Sequence, residues 1–226
     1  MADSAVRLIP EQIRPHRRLG RHVEHDPRSG DFRVSAAASI ESVEWKRHVG
    51  IFNQHDIGSC TGEAMAGALS TQPFTHHFHQ KMAVELYHEA TELDSVPGTY
   101  PPDDTGSTGL AVAKAALQDG YIARYEHAFS LDEALAALMR GPVITGINWY
   151  TEMDEPDEKG LVTVGGTIRG GHEICVIGVD TDARTIRFAN SWGTEWADRG
   201  YGTLSWSDWE RLLHEEGDVT VPVPPS

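Results

Sequence analysis

The chain has 226 residues, 39% of them hydrophobic and 23% charged, a composition that buries a sizeable core in one globular domain or two small lobes. Its 34 acidic against 19 basic side chains give a formal charge of −15, which excludes a basic face for phosphates, so nucleic acid is not an expected partner. Two cysteines, Cys60 and Cys175, make no disulfide framework, and no apolar run is long enough for a signal segment or membrane span; a reducing, cytoplasmic setting without membrane contact is expected.

Residues 1–35 are polar and rich in arginine, and Pro10, Pro15 and Pro27 interrupt any helical period. They read as an extended arm wrapping a domain that spans 36–226, with packing at the back of that domain as the alternative expectation. With so few apolar residues the arm is expected to bury too little surface to block a cleft, which predicts a full-length chain that is active as made.

Cys60 opens the stretch "CTGEAMAGALS", whose Ala64, Met65, Ala68 and Leu69 fall at helical spacing. "KMAVELYHEATELD" repeats the pattern with Met82, Leu86, Ala90 and Leu93. "PPDDTGSTG" precedes a third helix, which either lines a groove through Gly106 and Ser107 or is capped by Asp104 or Ser107. Ser130 and Glu133 form a capping-box pattern ahead of a fourth helix that Gly141 and Pro142 end. From there "PVITGINW", "GHEICVIGVD", "TIRFANSW" and "YGTLSW" are β-rich runs. Helices first and strands afterwards is the α+β order, with a helical lobe over about 50–140 and a β lobe over about 141–220.

Three stretches carry chemistry. "QHDIGSC" puts a thiol at a helix N-terminus, where the dipole and free N–H groups favour a thiolate. "GGHEICVIGVD" puts His172 at the mouth of an apolar strand as a base. "FANSWGTEW" offers Asn190 to orient an imidazole and Trp192 to shield that bond from water. Together these are the parts of a cysteine acyl-transfer site. "THHFHQ" gathers His76, His77 and His79 without an accompanying cysteine or carboxylate pattern, and "HEIC" lacks the second histidine of a zinc motif, so no metal is expected.

Gln54, Gly58, Ser59 and Cys60, the "GGH" segment, and "NSWGTEW" with "GY" at 200–201 resemble the papain-like cysteine peptidases, over roughly residues 45–206. Two positions depart from the family pattern. Thr61 follows the nucleophile where tryptophan is common, and Ile57 stands where many secreted members have a disulfide cysteine. The resemblance implies a two-lobe fold, with a helical lobe facing an antiparallel, barrel-like β lobe across the cleft. It implies a cofactor-free enzyme of the intracellular, bacterial or phage type, without a long pro-segment, acting on peptide or protein substrates. Cys60 would be the nucleophile, His172 the base, Asn190 its orienter and Gln54 an oxyanion donor; Gly106, Ser107, Gly171 and Trp192 would line the substrate groove. Cys175 alternates along its strand and reads as packing. The same constellation fits an amidase or acyltransferase on a non-protein amide, or an idle binding module.

Overall fold

The computed structural model describes residues 5–35 and 39–225; the arm's first four residues and the start of the expected domain at 36–38 lie outside the described residues. The arm carries two short strands, β1 (Ala5–Arg7) and β2 (Val23–His25), paired antiparallel. After β3 (Val43–Glu44) come three helices, α1 (Cys60–Leu69), α2 (Gln80–Leu93) and α3 (Gly109–Gln118). β4 (Arg124–Ala128) and α4 (Leu131–Leu138) lead into β5 (Val143–Tyr150), β6 (Ile168–Asp180), β7 (Thr185–Ala189) and β8 (Tyr201–Ser205). α5 (Trp206–His214) and β9 (Asp218–Val223) follow.

The strands form one antiparallel sheet in the order β4-β9-β5-β6-β7-β8, with β3 added to the end of β6. The α+β, papain-like two-lobe reading holds, but the sheet is open: among the described residues β4 and β8 are its ends and do not pair, so the barrel-like description gives way to an open antiparallel sheet. β6 is long enough to bond β5 through its first half and β7 through its second.

All ten residues of α1 are buried, which its run of Ala, Gly and Thr permits. A Cβ on Gly62 would lie 2.8 Å from the Tyr87 backbone nitrogen, so only glycine lets α2 approach this closely. One apolar cluster joins α1, α2 and α3 to one face of β5 and β6; a second fills the sheet side around Trp149, Phe188, Trp196 and Trp209. Neither Asp104 nor Ser107 caps α3, because the cap is Thr108, whose hydroxyl accepts from Ala111 N at 3.1 Å. Ser130 caps α4 as its spacing implies, accepting from Glu133 N. α5 was not expected from the sequence, although Ser205 caps it through Asp208 N.

Candidate functional site

Cys60 is the first residue of α1 and is fully buried. The turn before it is held in place from outside: the Asp104 carboxylate accepts from Gly58 N at 2.9 and 3.0 Å and from the Tyr87 hydroxyl at 2.8 Å. Burial pushes the Cys60 thiol well above its ordinary range, while the Glu173 backbone N–H pulls the other way.

His172 stands on β6 opposite Ile147 of β5. Its Nε2 meets Asn190 Oδ1 at 2.7 Å, and its Nδ1 has no hydrogen-bond partner among the described residues. Asn190 is an acceptor through that oxygen, so Nε2 carries the proton and Nδ1 keeps its lone pair. Trp192 stacks on the imidazole with ring centroids 5.1 Å apart, and Trp149 meets it edge-on at 4.9 Å. This dry surround lowers the imidazole pKa to about 3, against the opposing pull of the Asn190 bond.

Gln54 is fixed by Ser191, whose hydroxyl donates to Gln54 Oε1 at 2.6 Å and whose carbonyl accepts from Gln54 N at 2.9 Å. That turns the amide nitrogen inward, where it donates to Ile57 O at 2.8 Å and to Leu19 O at 3.3 Å. Leu19 belongs to the arm.

The expectation that the arm packs at the back of the domain is not met: it runs between the lobes. Gly20 N and Arg21 N both donate to Gly171 O, at 3.1 and 3.0 Å. On the other wall Ser107 N donates to Gly20 O and His22 N donates to Ser107 O, both at 2.8 Å. Trp192 Nε1 donates to Arg18 O at 2.9 Å. Gly20 has φ +144, and a Cβ there would lie 2.8 Å from Gly58 Cα, so glycine is required at the crossing. Gly106 faces the same backbone, since a Cβ on it would lie 2.9 Å from the Gly20 carbonyl carbon.

The structure thus brings Gln54, Gly106, Ser107, Gly171 and Trp192 around one chain segment, residues 18–22, which crosses the turn leading into Cys60. The arm itself, Ser191, Asp104 and Glu173 were missed from the sequence. Ser191 sits inside the "NSWG" stretch that drew attention to Asn190; the arm offers only the glycine between basic residues in "RRLGRH" as a signal.

Cys175, on β6, is buried against α1, and its thiol is pushed up to about 11 by burial. His76 and His77 lie on the loop before α2, and His79 caps that helix. Among the described residues no group of three or more side chains is placed to hold a metal, and no helix is long and apolar enough to cross a membrane.

The family model described as papain family cysteine protease matches residues 99–211, half of the chain. The span holds His172 and Asn190 and begins after Cys60. No curated protein matches by sequence. Among solved structures the chain is similar to xylellain, a cysteine protease from Xylella fastidiosa, at 16% identity and TM-score 0.77, covering 96% of this chain and 100% of that one. It is also similar to the bromelain protease from Ananas comosus in complex with the E64 inhibitor, at 14% identity and TM-score 0.61, covering 83% of this chain and 100% of that one. A third is proCathepsin B S9 from Trypanosoma congolense, at 12% identity and TM-score 0.63, over 92% and 87%. At such identities the likeness speaks for the fold.

Proposed function

Because the chain belongs to the papain family of cysteine proteases, which hydrolyse peptide bonds through a cysteine nucleophile, we propose that Cys60 is that nucleophile, with His172 as its base and Asn190 as the residue that positions the base. The observation that carries this reading is the His172–Asn190 bond at 2.7 Å, which leaves Nδ1 unpartnered. A base needs a free lone pair and a fixed ring, and this imidazole has both.

In the reaction Nδ1 takes the thiol proton as Sγ bonds to the carbonyl carbon of the peptide. Gln54 Nε2 holds the oxyanion, at a position where the arm's Leu19 carbonyl already accepts from it. The C–N bond then breaks and His172 returns the proton to the leaving amine. Water adds to the thioester, giving its proton to His172, and the carboxylic acid leaves as the thiol is restored.

Residues 1–35 are read as an arm on a peptidase domain running from 36 to 226. With Leu19, Gly20 and Arg21 in the groove, a substrate has no access to Ser107, Gly171 or Gln54, so the full-length chain is latent until the arm moves. This replaces the expectation of a chain active as made. The substrate is a peptide or protein; nucleic acid and membranes play no part, in keeping with the net charge of −15. A cytoplasmic setting, which cell fractionation tests, would keep Cys60 and Cys175 as the free thiols they are here. The deciding experiment pairs hydrolysis of fluorogenic peptides with alkylation by iodoacetamide. Hydrolysis should be lost when Cys60 is alkylated; hydrolysis that survives complete labelling of Cys60 would overturn the assignment.

A further inference from the structure

The arm's Arg21 is fully buried. Its guanidinium leaves the groove for a recess whose floor is made of two carboxylates: Nη2 is ion-paired with Asp218 at the start of β9 and donates to Glu216 O at 2.8 Å. Glu173, next to His172 on β6, is the second carboxylate. It is buried, and neither of its oxygens has a hydrogen-bond partner among the described residues.

Two glycines open this recess. A Cβ on Gly146 would lie 2.8 Å from Glu173 Oε2 and 2.9 Å from Asp218 Oδ2, and one on Gly109 would lie 3.0 Å from an oxygen of each carboxylate. Any larger residue at either position would intrude between the acids. A buried carboxylate, Glu173, facing the partly exposed one of Asp218 is costly unless a cation neutralises the pair, and burial, with proximity to Asp218, pushes the Glu173 carboxyl well up. Arg21 meets this demand incompletely. Among the described residues its Nε and Nη1 have no hydrogen-bond partner, and neither does Asp218 Oδ1. A guanidinium seated squarely on Glu173 would gain the paired hydrogen bonds that Arg21 forgoes.

We infer that this recess, lined by Glu173, Asp218, Gly109 and Gly146, is a specificity pocket for an arginine side chain of the substrate, and that Arg21 occupies it as the arm's stand-in. The inference rests on the peptidase reading for its location, beside the nucleophile and along the groove walls of Ser107 and Gly171. An apolar side chain there would leave Glu173 buried and both carboxylates without a cation. Citrulline, which has the shape of arginine without its charge, would leave them equally uncompensated.

The test separates binding from chemistry. The full-length chain carrying Arg21→Ala and Cys60→Ala is titrated by calorimetry with blocked tetrapeptides differing only in one residue, arginine, citrulline or leucine. The arginine peptide should bind at least about tenfold more tightly than the other two, and adding Asp218→Asn with Glu173→Gln should remove the difference. Equal binding of the three, tighter binding of the leucine peptide, or no binding of any overturns the pocket. If Arg21→Ala does not fold, Arg21→Gln keeps most of the side chain without its charge and is measured in the same way. Restoring Cys60 then tests the underlying reading: an arginine peptide that binds selectively but is not cut leaves the pocket standing and defeats the peptidase site. Cleavage without selectivity does the reverse.

Discussion

Leu19 and Arg21 of the arm are buried like the sheet-side core, yet the two regions are held by different forces. Around Trp149, Phe188, Trp196 and Trp209 the contacts are apolar, and each such side chain contributes roughly 1.5–3 kcal/mol through burial that has no required direction. Residues 18–22 are held by backbone hydrogen bonds to Gly171 and Ser107, by bonds from Trp192 and Gln54, by His22 against Thr105 O, and by ion pairs from Arg18 to Asp104 and Arg21 to Asp218; Leu19 is the member of that segment within the core. Hydrogen bonds exchanged for water net only about 0.5–1.5 kcal/mol each. A segment held this way can leave its groove at the cost of Leu19's place in one cluster, while the rest of both clusters stays packed. A polar arm therefore suits reversible occupation of a site that an apolar plug would seal.

Substitutions on the two sides of this contact should have opposite signs. On the enzyme side Cys60→Ala should lower peptide hydrolysis by about 10⁴-fold or more while leaving the thermal unfolding midpoint nearly unchanged, since alanine fits a helix start. His172→Ala should approach that loss, and Asn190→Ala should cost clearly less because the asparagine positions the ring without moving a proton. Equal kcat values for the two folded variants would break the assignment of roles. Gln54→Ala should reduce kcat by about 10²–10³-fold, the usual effect of removing one oxyanion donor.

On the arm side the sign reverses. Arg21→Ala, which removes the buried ion pair with Asp218, should raise kcat/KM of the full-length chain by about tenfold or more, read from initial rates on a short fluorogenic peptide. An unchanged or lower rate in a folded variant would mean that the arm does not hold the enzyme latent.

The remaining effect is on stability rather than rate, at Glu63 on α1, buried beside Ser59 and Gln80, where burial raises its carboxyl pKa to about 8 from an ordinary 4.5. The folded state then binds a proton that the unfolded state has released between those values, so stability should fall as pH rises from about 4.5 to 8. Glu63→Gln should flatten that slope in denaturant titrations at several pH values.

Much of the body was legible because its signals are local. The period of α1 and α2, the Ser130 cap of α4 and the β-rich runs from Val143 onward follow from side-chain spacing and capping chemistry, and the thiol, imidazole and amide of the candidate site stand in short stretches with recognisable neighbours. The course of the arm was not legible in this way. Its scarcity of apolar residues implies weak attachment, whereas backbone groups at Gln12 and residues 20–22 and the side chains of Arg7, Arg14, Arg17, Arg18 and Arg21 bond it to distant parts of the chain.

By itself the sequence determined an α+β chain with Cys60 at the head of a helix, His172 and Asn190 on the strand-rich half, and too little apolar surface in residues 1–35 for a core of their own. Only the tertiary structure decided that Gly20 crosses over Gly58, that Arg21 descends between Glu173 and Asp218, and that the sheet stays open. The physical reason is the range of the forces: helix period and caps act over a few residues, whereas the Arg21–Asp218 pair joins positions 197 residues apart. Nothing near either residue in the chain announces its partner, and only folding brings the two charges into the same dry recess.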